Sequence, residues 1–202
     1  MSNQLIERQE ARLAALYEVS SQLGKTLDLG EVLNQVMDSI IQLTGAERGF
    51  LMLYDNENGR LQTRAARNFD QETIEGEAVN VSYTVIDRAI KSGEGILSSN
   101  AQEDARFSDQ TSVVGYQLRS IMCAPLQVRG STLGAVYVDN RLFSGVFEKD
   151  DLGLLVTFAN QAAIAIENAR LFTQTDQALA RRVEELSLFQ RIDQQLNRSL
   201  QL

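Results

Sequence analysis

The chain has 202 residues, of which 44% are apolar and 23% charged, the make-up of an ordinary globular protein. It carries 19 basic against 27 acidic residues, and a net charge of −8 repels a phosphate backbone, so no nucleic-acid partner is expected. There is no His and only one Cys, Cys123. That excludes Ser-His-Asp and Cys-His catalysis, His-ligated haem or zinc, a phospho-accepting His and an internal disulfide.

Helical spacing comes first along the chain. Leu5, Ile6, Leu13, Leu16, Val19 and Leu23 trace an amphipathic helix that Gly24 interrupts. Asp28 is a good N-cap for a second helix carrying Val32, Leu33, Val36, Met37, Ile40 and Ile41, which Gly45 ends. The middle of the chain, roughly 46 to 147, is strand-rich. Phe50-Leu51-Met52-Leu53-Tyr54 reads as a buried strand, and 55–59 is turn chemistry before a return at 61–65. Val85, Ile86, Ala89 and Ile90 mark a short helix stopped by Ser92-Gly93, and a brief strand follows at 95–98. The stretch 99–112 is polar except for Ala101, Ala105 and Phe107, and a segment of that kind inside a domain reads as a functional lid. Residues 120–128, the turn 129–131 and 133–138 form the clearest hairpin.

From Glu148 onward there is no Pro, and no Gly after Gly153. Leu152, Leu155, Val156, Ala159, Ala163 and Ile166 start a helical stripe that Leu179, Val183, Leu186, Phe189, Ile192, Leu196 and Leu200 continue. A helix this long must project from a domain of this size, and its apolar seam predicts a parallel homodimer. Residues 13–29 also resemble 186–202 position by position: Leu13, Gln22, Leu23, Leu27 and Leu29 recur as Leu186, Gln195, Leu196, Leu200 and Leu202. That repetition is expected where a chain stops on the leading helix of a next, similar module. The longest apolar run, 121–126, is far too short to cross a membrane, and the start of the chain lacks a signal peptide's basic and apolar regions, so a cytoplasmic location is expected.

Three stretches together resemble a GAF domain: Arg119-Ser120-Ile121-Met122-Cys123-Ala124-Pro125-Leu126, then Gly134-Ala135-Val136-Tyr137-Val138-Asp139-Asn140, then residues 158–171. The resemblance covers about Leu16 to Phe172. It implies an α/β (α+β) fold, with a central antiparallel sheet, helices on both faces and long N- and C-terminal signalling helices. Expected units are an N-terminal helix at 1–24, the GAF domain at 25–172 and a C-terminal coiled-coil helix at 173–202. The resemblance also implies a pocket on one sheet face under the inserted helices. By strand alternation its candidates are Phe50 or Met52 and Ile121 or Cys123. The covering segments add Ser82, Thr84, Ile86, Phe107, Thr111 and Tyr116.

Bilin-bearing relatives carry a Cys in the lid helix, and residues 108–116 contain none, so no bilin is expected. A methionine-sulfoxide reductase of this fold would need several cysteines. Cys123 therefore reads as a packing residue of its strand. Cyclic-nucleotide (cAMP/cGMP) binding is the alternative within the ligand reading. Asn140-Arg141, Phe147 and Asp151 resemble the signature Asn-Lys…Phe-x-x-x-Asp-Glu, with Arg replacing Lys and Leu152 replacing Glu. By that resemblance Arg141 would pair with Asp151 to brace the fold, and Phe69-Asp70 would stack on and hydrogen-bond a base. Against it, Val113, Val114 and Leu118 stand where nucleotide binders offer hydroxyls and an acid.

The expected function is a sensor module of a larger signalling protein. It would bind a small-molecule ligand and relay its state through dimeric helices to an output domain of the same polypeptide. A dimerisation scaffold with a vestigial pocket is the alternative. Neither a catalytic set nor a resident cofactor is expected.

Overall fold

Asp28 opens the first helix: its carboxylate accepts the Glu31 N–H at 3.0 Å, which satisfies a donor that the helix itself leaves unpaired. The helix, α1, runs Leu29–Thr44 and ends where Gly45 takes a φ of 66° and donates its N–H to the Ile41 carbonyl at 2.9 Å. Val32, Leu33, Val36, Met37, Ile40 and Ile41 are all buried along one side of it. These particulars come from a computed structural model that describes residues 28–55, 58–74, 80–107, 110, 113, 115 and 117–199. The helix expected at Leu5–Leu23 lies outside the described residues, as do the side chains of Ile192 and Leu196 and the whole of Leu200.

The other elements are β1 (Arg48–Tyr54), β2 (Leu61–Asn68), α2 (Tyr83–Ser92), β3 (Ile96–Ser98), β4 (Ser120–Val128), β5 (Ser131–Asn140) and α3 (Lys149–Ser199). The strands make one sheet in the order β2-β1-β5-β4-β3, antiparallel at every pairing. The β4–β5 hairpin turns on Arg129 and Gly130, with φ of 50° and 81°; two positive values match the twist of the strands it joins. β1 and β5 are central and buried on both faces, which is why β1 reads as a continuous apolar run rather than an alternation.

Alternation then sorts the core into two layers. On one face Leu51, Leu53, Met122, Ala124, Leu126, Val136 and Val138 pack with α1 and α3. On the other Phe50, Met52, Ile121, Cys123, Ala135 and Tyr137 pack under α2 and the loop that follows β3. Helices thus lie on both faces of an antiparallel sheet, the architecture anticipated above. α3 meets the first face through Leu155, Phe158, Ala159, Ala162, Ala163, Ile166 and Ala169, all buried. Four alanines let its backbone approach closely. Beyond Arg170 it leaves the domain, and Leu179, Val183, Leu186 and Phe189 are exposed.

Candidate functional site

The strand registers line up two rows of side chains on the second face. Ala66, Phe50, Tyr137, Cys123 and Ile96 run across all five strands, one from each, and all are buried. The neighbouring row holds Arg48, Asp139, Ile121 and Ser98, so an apolar band borders a polar one. Phe50 and Tyr137 meet with ring centroids 6.1 Å apart, tilted at 56°. α2 supplies Val85, Ile86 and Ala89, and the loop supplies Phe107, whose ring lies 5.1 Å from the Arg106 guanidinium and 5.7 Å from that of Arg88.

Arg48 and Asp139 form the electrostatic centre of the polar band. Arg48 Nε donates to Asp139 Oδ1 at 2.9 Å and Nη2 to Oδ2 at 2.5 Å, with both side chains at most 4% exposed. Nη2 also reaches the Asn80 carbonyl at 3.2 Å, and the guanidinium lies 5.1 Å from the Phe50 ring centroid. Burial pushes the Asp139 carboxyl up, and the adjacent Arg48 offsets this only in part. Burial, reinforced by the Asp139 charge, raises the Tyr137 hydroxyl well above its ordinary 10, so it is neutral. The Tyr137 oxygen makes no hydrogen bond of good geometry, and the Ser82 backbone N–H is the donor facing it. Burial likewise drives the Cys123 thiol upward, which makes it an inert packing group.

Of the residues expected from sequence, Phe50, Met52, Ile86, Phe107, Ile121 and Cys123 are brought together in this one buried cluster, and Ser82 is buried beside it. Thr84 is instead exposed on α2, where its hydroxyl donates to Gln110 Oε1 at 2.9 Å and ties the helix to the loop. Phe69 and Asp70 do not reach the face. β2 ends at Asn68, the chain turns with Gln71 at φ 60°, and Phe69 is 64% exposed. Thr111 and Tyr116 lie outside the described residues. Sequence reasoning missed Tyr137, Arg48 and Asp139. Among the described residues no group of three metal-ligating side chains comes together. A groove of about 510 Å³ past Tyr83, Thr84, Arg88 and Lys91 lies on the outer side of α2.

A family model, described as "GAF domain", matches residues 28–166. The chain belongs to the GAF domain family. A probable 3',5'-cyclic phosphodiesterase of Caenorhabditis elegans is 31% identical over 159 residues, spanning 72% of this chain and 21% of that protein. A Nif-specific regulatory protein of Azotobacter vinelandii is 24% identical, spanning 65% of this chain and 26% of its own length. The chain thus spans about a quarter or less of these signalling relatives. Among solved structures, the GAF domain of an Acinetobacter phosphoenolpyruvate-protein phosphotransferase superposes with a TM-score of 0.64 at 18% identity, covering 80% of this chain and 95% of that one. A free methionine-R-sulfoxide reductase of Neisseria meningitidis also superposes at 0.64, with 15% identity over 79% of this chain and 90% of that one; the likeness is one of fold.

Within this GAF domain the signature-like residues take up structural positions on or beside the helix-covered face. Asn140 Oδ1 accepts the N–H groups of Leu142 and Phe143 at 3.0 and 2.7 Å and so shapes the turn after β5. Phe147 is buried with α1 and α3. Asp151 accepts the Glu148 N–H at 2.9 Å at the start of α3, a capping role. The expected Arg141–Asp151 pair is replaced. Arg141 Nε and Nη2 lie 3.3 Å from Glu47 Oε1, because the chain turns at Asn140 and carries Arg141 back over the start of β1. The buried brace of this GAF domain is Arg48–Asp139. No described helix is long and apolar enough to cross a membrane.

Proposed function

We propose that this GAF domain is the sensing module of a larger signalling protein, taking a small ligand against the second face of its sheet. The observation that supports this most directly is the division of labour within β1, β4 and β5. Alternate residues of the same strands line the two-row face and the bed of α3. A ligand that parts α2 from Phe50, Tyr137 and Ile121 would therefore shift the strands on which α3 rests. α3 would pass that shift to an output domain of the same polypeptide. The pocket would be mostly apolar with a hydrogen-bonding end at Tyr137 and the Arg48–Asp139 pair, which suits a compact, largely apolar molecule carrying one or two polar groups. Chemistry on the ligand is not part of this reading, and a cytoplasmic location is part of it.

A cyclic nucleotide is the second reading, favoured by the similarity to a probable cyclic phosphodiesterase. It is weakened by the exposure of Phe69 and the pairing of Arg141 with Glu47.

Thermal unfolding of the purified chain against cAMP, cGMP and a panel of small metabolites tests both. A ligand at a hundred times its Kd stabilises by about 2.7 kcal/mol, which for a chain of this size raises Tm by about 5–10 °C. A rise with a compact apolar metabolite supports the first reading, and a rise with cAMP or cGMP alone the second. If nothing in the panel shifts Tm, and the protein isolated from cells carries no small molecule in native mass spectrometry, the domain is a scaffold.

A further inference from the structure

We propose that the groove at the root of the α3 arm is a second binding site. Its ligand is a small organic oxyanion, a carboxylate or phosphate monoester on a short apolar body. The groove holds about 400 Å³, room for such a molecule. Four elements meet in it: the start of α1, the end of β1, the edge strand β2, and α3 where it leaves the sheet. Leu29, Leu53 and Ile166 supply its apolar part, and Arg64 and Arg170 reach it from β2 and α3. Among the described residues no carboxylate lines it. It opens on the α1 and α3 side of the sheet, so it is separate from the face under α2.

The charges identify the ligand. Arg170 is half-buried, yet among the described residues no hydrogen bond or ion pair engages its guanidinium. Its nearest acid along the helix, Glu167, lines a different groove with Gln127 and Arg129. Arg64 meets Asp55 only at 3.7 Å, an exposed contact that holds the guanidinium weakly. Two cations thus share one groove without a close counter-ion, and a partly desolvated cation gains most from a charged partner. A planar guanidinium offers two parallel N–H groups to a carboxylate or phosphate, and Tyr54 and Gln177 add neutral donors at the same groove. The net charge of −8 favours a small anion over a polyanion, which the rest of the surface would repel. A molecule bridging Arg64 and Arg170 would tie the root of the arm to the edge strand of the sheet.

Calorimetric titration of the full chain with hexanoate and with hexyl phosphate at low salt tests the proposal, with hexanol as the neutral control. At least one anion is expected to bind with a Kd tighter than about 5 mM, and hexanol is not; the head group that binds distinguishes carboxylate from phosphate. Arg170→Gln and Arg64→Gln are each expected to weaken binding by about threefold or more, whereas Arg88→Gln, in the groove outside α2, leaves it unchanged. On the unsubstituted chain the bound anion is expected to protect Arg170 from an arginine-directed dicarbonyl reagent, read by peptide mass spectrometry. That measurement does not depend on any variant folding. The proposal is overturned if neither anion reaches that affinity, if hexanol binds as tightly, if either arginine can be replaced at less than that cost, or if Arg170 is labelled equally with and without the anion.

Discussion

The two buried polar features of the second face make opposite predictions on substitution. Arg48→Ala leaves the Asp139 carboxylate buried without its partner and should cost about 3–5 kcal/mol in urea unfolding. Arg48→Met with Asp139→Leu should cost less than Arg48→Ala alone, because no charge is stranded. Tyr137→Phe removes a hydroxyl without a well-placed partner, so the ligand-free domain should be unchanged or gain up to about 1 kcal/mol; a loss beyond that would show the oxygen to be satisfied. Asp104 contributes an acid limb to the pH dependence. Its carboxylate takes hydrogen bonds from Arg106 Nη2 and Ser98 Oγ, both at 2.7 Å, and the Arg106 bond foremost holds it well below its ordinary 3.8. The folded state therefore releases this proton more readily than the unfolded chain. The stabilisation is complete above about pH 5 and is lost progressively as pH falls through 3.8 toward the lower folded-state value. Asp104→Asn should flatten that acid limb in urea midpoints measured from pH 5 down to 2.5. How much of the site was legible in sequence follows from the same residues. Period-two alternation groups Phe50 with Met52 and Ile121 with Cys123, and the pairing of both strands with β5 sets the two groups on one face. Arg48 and Asp139 sit at the right parity as well, yet their meeting depends on the β1–β5 register across 91 residues, which no local pattern encodes. Phe69-Asp70 fails for the converse reason. A two-residue likeness says nothing of where its strand ends.

Among the elements, the β1–β5 pairing is the most tightly constrained. A methyl group on Gly134 would overlap the Met52 carbonyl, a backbone group that cannot step aside, whereas one on Gly49 would meet the flexible end of Met37 and the Ile41 side chain. Gly134→Ala should therefore cost about 3 kcal/mol or more by forcing the central strands apart, and Gly49→Ala clearly less; thermal unfolding of the two variants side by side checks the order. Local chemistry specified most element ends. Asp28 and Gly45 bracket α1, Gly93 stops α2 at a φ of 70°, and Arg129-Gly130 turns the hairpin. β2 is longer than its sequence pattern, reaching Asn68, because Ala66, Arg67 and Asn68 pair with Phe50, Gly49 and Arg48. That extension is supplied by the partner strand and by the Arg67–Asp38 ion pair to α1, at 2.7 Å.

Among the described residues, the buried contacts of α3 with the sheet and α1 end near Ala169. Leu155 is buried against the sheet, and Leu155→Ala should cost about 2–5 kcal/mol. Leu179 touches no part of that core, so Leu179→Ala should change the unfolding free energy of the sheet by less than about 0.5 kcal/mol. Amide exchange of the β5 residues reads both. The consequence is mechanical. The 51 residues of α3 form a single unbroken helix with a base seated on the sheet and a long arm that projects beyond it. The arm past Arg170 is about 40 Å long, so a tilt of about 5° at the base, well under an ångström of motion among Ala159, Ala163 and Ile166, swings the tip by about 3.5 Å. The alanine-lined seat acts as a fulcrum, and displacements too small to disturb the core become visible only at the far end of the helix.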